Sequence, residues 1–317
     1  MKFKTLIDLV NFFDTEEKCH RFLKSILWSN GKRCPCCKSD KITEFKINFK
    51  RNRCQKCKVD FSIRRGTIFD DSKISLQKWF MSIYLIHSNK KGISSIALAE
   101  QIGVTQKTAW FILQRIRNAS NTIFFKEPLQ NTVEIDEAYL GGKAQNMHMS
   151  KRIQKQGIYK KTTVLGMVER GGNVKAIKVQ NAQANTLQRE IYTNVKSDSV
   201  IVTDEHKAYS SISHFKYDHK VVNHSVGEYV KQDYITKRGE ERKAFKIHTN
   251  TIEGYWAWVK RGVYGIHHWV SEKHIQKYLN DYSFKYNTKD LQNNERFGLF
   301  LQNVVSSKLT YKDLISC

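Results

Sequence analysis

Three acidic residues, far apart along the chain, could act together on phosphodiester bonds if the fold gathers them. Asp136 lies in the segment VEIDEAYLGGK, Asp204 in VTDEHKAYSS and Glu253 in HTNTIEGYWAWVKRG. Three gathered carboxylates repel one another unless cations bind between them, and Mg²⁺ and Mn²⁺ prefer such hard oxygen ligands. Two such ions, about 3.5–4 Å apart, can activate a water or a hydroxyl and stabilise the leaving oxygen of a phosphodiester.

The residues before the two aspartates predict neighbouring strands. Residues 133–136 alternate between apolar and acidic side chains, as in a half-buried strand. Residues 200–202 form an unbroken β-branched run before Asp204, as in a strand covered on both faces. Because adjacent strands are about 4.8 Å apart, we expect the two carboxylates to lie close together. Many aspartates at strand ends are instead solvated or form turns. The nearby alternatives are Glu134, Glu137 and Glu205.

Between these strands the sequence predicts a hairpin and a helix. Gly171 and Gly172 interrupt the alternating segment 159–179, which is typical of a β-hairpin. Residues 185–195 then carry apolar side chains at helical spacing. The order strand, hairpin, helix, strand is that of a ribonuclease-H-like sheet.

The segment around Glu253 has the spacing of an amphipathic helix. Its apolar positions recur at i, i+4, i+7 and i+11 and predict one buried stripe. These positions are Ile252, Trp256, Val259 and Val263. Glu253 and Lys260 are seven residues apart, about two turns, and therefore lie on one neighbouring face. We expect this helix to point Glu253 at the two aspartates and Lys260 at a DNA phosphate.

Four cysteines have the spacing of a zinc ribbon. Cys34 and Cys37 form one C-x-x-C pair, Cys54 and Cys57 form a second, and 16 residues separate the two pairs. Two such pairs can offer four thiolates tetrahedrally to one Zn²⁺, and four sulfur ligands leave no open position for water. The sequence therefore predicts a structural zinc site. Disulfide pairing is the alternative, which a cytoplasmic location disfavours.

Residues 75–119 have the pattern of a helix-turn-helix. Gly103 can end one helix and form the turn, and Thr105 can cap the next helix. That next helix would direct polar side chains outward, as a DNA-recognition helix does. The predicted outward residues are Gln106, Lys107, Gln114 and Arg115 or Arg117. An ordinary three-helix packing unit is the alternative.

The net charge of +24 over 317 residues indicates a polyanionic partner. Nucleic acid is the leading candidate and an anionic membrane surface is the rival, but no apolar run approaches the length of a membrane span. Residues 138–168 contain no acidic residue and include Lys151 and Arg152. We expect this stretch to follow the DNA backbone, with a solvated basic loop as the alternative.

With these motifs in this order, the chain resembles insertion-sequence DDE transposases of the ISXO-like group, which carry an N-terminal zinc ribbon. The resemblance covers most of residues 15–290. It is carried by CPCC and CQKC, RRGTIFDDSKISLQKWF, GVTQKTAWFILQRIR, VEIDEAYLGGK, VTDEHKAYSS and HTNTIEGYWAWVKRGVYGIHHWVSEKHIQKYLNDYSFKYN. The resemblance implies a ribonuclease-H-like catalytic domain with Asp136, Asp204 and Glu253 as its triad. Since the third residue of the triad is Glu in some members and Asn in others, Asn250 is the alternative to Glu253.

The expected fold is a multi-domain one. An N-terminal zinc ribbon and an all-α helix-turn-helix domain precede an α/β ribonuclease-H-like catalytic domain with a mixed sheet. The expected divisions are N-terminal helices (1–30), zinc ribbon (31–66), helix-turn-helix (73–125), catalytic domain (129–290) and C-terminal tail (291–317).

The resemblance implies a transposase that binds insertion-sequence ends and catalyses DNA strand cleavage and strand transfer with two Mg²⁺ or Mn²⁺ ions. We expect it to act on double-stranded DNA, both transposon ends and target, as a homodimer or higher homo-oligomer. The acidic N-terminal segment has no cleavage-like site, which predicts a cytoplasmic, nucleoid-associated protein without membrane contact. Two alternatives are a catalytically inactive DNA-binding regulator and a nuclease or resolvase without strand transfer.

Overall fold

The computed structural model describes residues 3–45, 48–121, 126–142, 161–212, 217–227, 230–235, 243–305 and 307–316. The chain divides into two compact units. The first unit comprises residues 1–123 and 288–317, and the second comprises residues 124–287. The protein therefore has the multi-domain α/β fold that the sequence predicts.

The elements are numbered in chain order. The helices are α1 (Leu6–Phe12), α2 (Glu16–Leu27), α3 (Leu76–Ser88), α4 (Ser95–Ile102), α5 (Gln106–Ala119), α6 (Ala184–Asn194), α7 (Asn250–Gly265), α8 (Ile275–Asn287), α9 (Asn293–Gln302) and α10 (Tyr311–Ile315). The strands are β1 (Ile42–Glu44), β2 (Asn52–Cys54), β3 (Asp60–Phe61), β4 (Thr132–Leu140), β5 (Thr162–Glu169), β6 (Val174–Lys178), β7 (Val200–Thr203), β8 (Asp218–Val221), β9 (Lys231–Ile235) and β10 (Lys243–Ile247). Among the described helices, none combines the length and the apolar character that crossing a bilayer requires.

The first unit joins a small antiparallel sheet, in the order β1-β2-β3, to helices α1 to α5 and to the end of the chain. Its core is rich in aromatic rings. The Phe80 ring centroid lies 4.8 Å from that of Phe13 and 5.5 Å from that of Phe297 on α9. Edge-to-face contacts of this kind add to the stabilisation that comes from burying the rings.

The C-terminal residues 291–317, for which the sequence predicted only a tail, belong to this core. Phe297, Phe300 and Leu301 on α9 are buried, as is Leu314 on α10. Their spacing places them on one face of each short helix, which explains why the segment packs.

The turn between α4 and α5 follows the predicted glycine and threonine. Gly103 ends α4 with a φ of +61°, a left-handed conformation that is costly for residues with a Cβ. The Thr105 hydroxyl then accepts the backbone N–H of Thr108 at 3.3 Å and so caps α5.

The second unit is built on a five-stranded mixed sheet in the order β6-β5-β4-β7-β8. The pairs β4–β5 and β5–β6 are antiparallel, whereas β4–β7 and β7–β8 are parallel. The hairpin between β5 and β6 turns at Gly171 and Gly172, as the sequence predicts. Strands β9 and β10 form a separate antiparallel pair.

Helices cover both faces of this sheet. Apolar side chains of α7 and α8 pack with Leu140, Val164 and Ala176 of the sheet. Leu187 and Ile191 of α6 pack with Ile135 and Met167, which belong to the opposite face. Alternate residues of β4 and β5 therefore point into different cores, and the sheet is buried on both sides.

Candidate functional site

The parallel pairing of β4 and β7 brings Asp136 and Asp204 to the same level of the sheet. Glu134 pairs with Val202 in this register. Asp136 follows Glu134 by two residues and still lies within β4. Asp204 follows Val202 by two residues and is the first residue after β7. Since neighbouring strands are about 4.8 Å apart, the register makes the two aspartates neighbours.

Helix α7 brings Glu253 to the same region. The predicted stripe of α7 packs against the sheet, and its four residues are at most 2% exposed. Gly166 on β5 pairs with Asp136 and permits a close approach of the helix. A Cβ at this position would lie 2.5 Å from Cζ2 of Trp256 and 2.8 Å from Cδ1 of Ile252. The first turn of α7, where Glu253 follows Ile252, thus lies over the part of the sheet that carries Asp136.

The electrostatics of Asp136 reflect this convergence of carboxylates. Burial is the largest cause that raises the pKa of Asp136 to about 7, and the charges of Glu137, Asp204 and Glu253 raise it further. Burial also raises the pKa of Glu137 to about 7, with the charge of Asp204 adding to the effect. These carboxyl groups repel one another when they are all ionised at neutral pH. A cation bound among them would relieve that repulsion.

Two histidines stand beside these carboxylates. His224 Nε2 lies 3.7 Å from Glu253 Oε1 and 3.2 Å from the Thr249 hydroxyl. That hydroxyl donates to the same Glu253 oxygen at 2.8 Å, so the carboxylate of the half-exposed Glu253 is held by this bond. His206 Nδ1 lies 3.7 Å from Glu137 Oε1.

The acidic residues of the strand ends have different surroundings. The Asp204 carboxylate accepts the backbone N–H of His206 at 3.1 Å. The Glu205 carboxylate accepts the backbone N–H groups of His224 and Ser225, at 2.9 and 3.1 Å. Glu205 therefore holds the short turn that carries His224, whereas Asp204 uses one carboxylate oxygen, Oδ1, in the contact with His206.

Comparison with protein families identifies this unit. The family of the ISXO2-like transposase domain matches residues 128–287, about half of the chain and nearly all of the second unit. The chain belongs to the ISXO2-like transposase family. The transposase zinc-ribbon domain matches residues 14–59, in the first unit.

Two curated relatives agree with the family. A protein of transposable element ISH50 from Halobacterium salinarum, described as uncharacterized, is 26% identical over 289 residues, which are 87% of this chain and 92% of that protein. An uncharacterized transposase-like protein of Haemophilus influenzae is 24% identical over 119 residues, which are 38% of this chain and 85% of that protein.

The zinc ribbon of this transposase brings its four predicted cysteines together. The sulfurs of Cys34, Cys37, Cys54 and Cys57 all lie within 4.8 Å of one another. The Cys34–Cys57 and Cys37–Cys54 sulfur distances are 3.7 and 3.5 Å. A tetrahedron with Zn–S bonds of about 2.3 Å has sulfur–sulfur edges of about 3.8 Å. The cluster fits one structural Zn²⁺, and its sulfurs are too far apart for disulfides.

The carboxylate donors are arranged differently from these sulfurs. Among the residues that the structure describes, only the cysteine cluster places three or more potential ligands all within 4.8 Å of one another. The three carboxylates are therefore spread more widely than a single coordination sphere. Oxygen donors of this kind fit Mg²⁺ or Mn²⁺.

The predicted outward face of α5 is only partly exposed. Gln106 and Lys107, in its first turn, are exposed, but Arg115 and Arg117 are 3% and 1% exposed. The prediction that these two arginines face outward is wrong. Arg115 donates to the backbone carbonyls of Ile68, Asp70 and Leu309 and so serves the packing of the first unit. The likewise predicted Gln114 is also buried.

The other predicted DNA contacts have separate outcomes. Lys260, the predicted phosphate contact, is exposed on α7. Asn250, the alternative third residue of the triad, is also exposed on this helix. Lys151 and Arg152 lie outside the described residues.

Sequence reasoning missed the residues that hold the carboxylates in place. Glu134 was considered only as an alternative to the chosen carboxylates, and the roles of Arg170 and His224 were not predicted. The one available signal was Glu134 itself, two positions before Asp136 in a strand predicted to be half-buried. A carboxylate that becomes buried needs a partner. The partners come from distant segments that no local pattern connects.

Proposed function

We propose that this chain is a DDE-type transposase whose second unit cuts and joins DNA strands at Asp136, Asp204 and Glu253. The observation that carries the proposal is the register of β4 and β7, which brings Asp136 and Asp204 to one level of the sheet, where the first turn of α7 packs over Gly166, the partner of Asp136. Membership in the transposase family supports the same reaction class.

The strand order supports a ribonuclease-H-like reading of the second unit. Three strands follow one another in antiparallel order, and two later strands are added in parallel beside the first. In sheets of this kind, ligands bind beyond the carboxyl ends of the parallel strands. Asp204 lies at such an end, and Asp136 lies level with it.

The three carboxylates would hold two Mg²⁺ or Mn²⁺ ions, which supply activation of the attacking oxygen and charge stabilisation at the leaving oxygen. The charges of Glu137, Asp204 and Glu253 all act on Asp136, so a cation held there would relieve their mutual repulsion. Asp204 and Glu253 would contribute the other carboxylate ligands. Thr249 orients Glu253 through its hydrogen bond of 2.8 Å. Lys260, exposed two turns further along α7, would hold a phosphate of the DNA.

The first unit would bind the ends of the element. Its zinc ribbon and the exposed start of α5, with Gln106 and Lys107, support this assignment. Lys151 and Arg152 would add contacts to the DNA backbone. A net charge of +24 predicts binding that weakens steeply as salt rises. We propose a homodimer or higher homo-oligomer on DNA, because two ends must be joined.

The test uses purified full-length protein and DNA that carries the terminal sequences of the element. We expect Asp136→Asn, Asp204→Asn and Glu253→Gln each to lower cleavage and strand transfer in Mg²⁺ by at least roughly 100-fold, with DNA binding retained. Double variants should be little worse than single ones, because the three residues act as one unit. Asn250→Ala should stay close to wild type.

Each other outcome contradicts a different part of the proposal. An inactive Asn250→Ala with an active Glu253→Gln would make Asn250 the third residue. Cleavage without joining would indicate a nuclease or resolvase. Wild-type protein that binds DNA but neither cleaves nor joins it would indicate a regulator.

A further inference from the structure

We propose that Glu134 and Arg170 form a clamp that fixes the start of α7, and with it Glu253, against the strand that carries Asp136. Both would be positioning residues, and neither would hold metal or touch DNA. The inference rests on the proposed function, because it concerns the geometry of the same three carboxylates.

The Glu134 carboxylate caps α7 from a distant strand. It is completely buried and accepts the backbone N–H groups of Thr251 and Ile252 at 2.8 and 3.1 Å and the Thr251 hydroxyl at 2.9 Å. The first N–H groups of a helix have no partner within the helix, and a negative charge there is favoured by the helix dipole. Thr249, the residue at the cap position, makes no capping bond.

Arg170 holds the chain that enters α7. Its Nε donates to Glu134 Oε1 at 2.6 Å, and its two terminal nitrogens donate to the backbone carbonyls of Lys246 and His248 at 2.6 and 2.8 Å. The guanidinium also lies 5.0 Å from the centre of the Phe245 ring. Because Arg170 directly follows β5, one side chain connects the sheet to the residues just before the helix.

The pairing of these two side chains makes the arrangement stable. A buried carboxylate without a partner would cost several kcal/mol, but Glu134 has Arg170, two amides and one hydroxyl around it. His248 Nδ1 lies 3.3 Å from the same carboxylate. Hydrogen bonds to charged groups are shorter and stronger than neutral ones, so the clamp holds the helix start more firmly than an ordinary cap would.

The clamp has a direct consequence for the catalytic carboxylates. Glu134 and Asp136 are two residues apart on β4 and lie on the same face of the sheet. Thr251 and Ile252, which Glu134 binds, directly precede Glu253. The separation between the first and the third carboxylate is thus set before any cation binds. Preorganised ligands lose less freedom on binding and hold metal more tightly.

The test is Glu134→Gln in the full-length protein, with metal binding as its main measurement. Glutamine keeps the shape of the side chain but cannot neutralise Arg170 or provide a charged cap. Titration with Mn²⁺ in the absence of DNA should show a roughly 10-fold or greater loss of affinity, as supporting residues around metal ligands typically give. The Mg²⁺ concentration needed for half-maximal DNA cleavage should rise by a similar factor.

The matched control is Glu169→Gln, one residue before Arg170. Its carboxylate accepts hydrogen bonds from Gln130 N and Asn131 Nδ2, just before β4 begins, and none from α7, so metal affinity should be unchanged. If Glu134→Gln does not fold, Glu134→Gln combined with Arg170→Gln removes both buried charges and should give the same loss. Hydrogen exchange of the wild-type protein provides a further measurement, since the clamp predicts protected amides at Thr251 and Ile252 without metal.

The outcomes separate the clamp from the proposed function. Mn²⁺ affinity within twofold of wild type in the folded variants, or rapid exchange of both amides, would overturn the clamp and leave the three-carboxylate site standing. If Asp136→Asn also left cleavage and metal binding unchanged, the proposed function itself would fail.

Discussion

The substitution Asp136→Asn should stabilise the metal-free protein at the same time as it abolishes the proposed activity. In the folded protein the pKa of Asp136 is raised from its ordinary value of 3.8 to about 7, first by burial and then by the neighbouring carboxylates. Between pH 4 and 7 the folded state therefore holds a proton that the unfolded chain has released. Stability must fall as pH rises through this window. Asparagine carries no charge at any of these pH values, so it avoids the loss.

The size of the effect follows from the pKa. One pKa unit corresponds to about 1.4 kcal/mol, which sets an upper limit of about 4 kcal/mol for Asp136 alone. Partial solvation of the side chain and its coupling to Glu137, whose pKa is also raised to about 7, reduce this figure. We expect Asp136→Asn to raise the free energy of unfolding by about 1–3 kcal/mol at pH 8 and by roughly a third of that amount at pH 5, where only the lower part of the window has been crossed.

The assay is calorimetric unfolding of metal-free protein at pH 5 and pH 8, with and without Mn²⁺. Wild-type protein should gain stability from Mn²⁺ at pH 8 and little at pH 5, because protonated carboxyls bind no metal. Asp136→Asn should respond weakly to Mn²⁺ at both pH values. The control is Asp218→Asn, an exposed residue of β8, which should follow wild type. An Asp136→Asn protein that is less stable than wild type at pH 8 without metal would refute the electrostatic reasoning.

Three further predictions concern other parts of the chain. Cys54→Ser should reduce the zinc content from one ion per chain to nearly zero in protein purified without chelator, since it removes one of four gathered sulfurs; an unchanged content would exclude the site. Gly166→Ala should cost about 1–3 kcal/mol of stability and lower cleavage, because its Cβ would lie 2.5 Å from Trp256. The control is Gly254→Ala, whose added Cβ would have no neighbouring atom within 4 Å. Equal changes in the thermal stability of the two variants would contradict the packing argument. Lys260→Ala should weaken DNA binding and lower the slope of its salt dependence by about one, as measured by fluorescence titration. It should reduce cleavage less than Glu253→Gln does. An unchanged slope would exclude the phosphate contact.

Local sequence patterns predicted the parts of this fold that local physics decides. The spacing of the cysteines is enough to indicate the zinc ribbon, since ligand number and loop length are readable from the chain. The alternation before Asp136 and the two glycines at 171 and 172 indicated the strands and the hairpin of the mixed sheet. The buried stripe of α7 was readable because its period is that of a helix.

Contacts between distant segments could not be predicted in the same way. A helical pattern could suggest that Arg115 faces outward from α5, but not that the backbone carbonyls of Ile68, Asp70 and Leu309 would bind this side chain. The same limit hid Arg170, whose partners come from β4 and from the residues before α7. In each case the fold supplies the partner for a charged side chain, and the sequence shows only the charge.

The most direct test of the central claim is to locate the metal ions. A crystal of the protein with Mn²⁺ and a DNA end would give anomalous scattering peaks at the ions. The proposal predicts two peaks about 3.5–4 Å apart, with Asp136, Asp204 and Glu253 all among their ligands. Peaks held by Glu137 or Asn250 in place of Glu253, or no peak near Asp136, would contradict it.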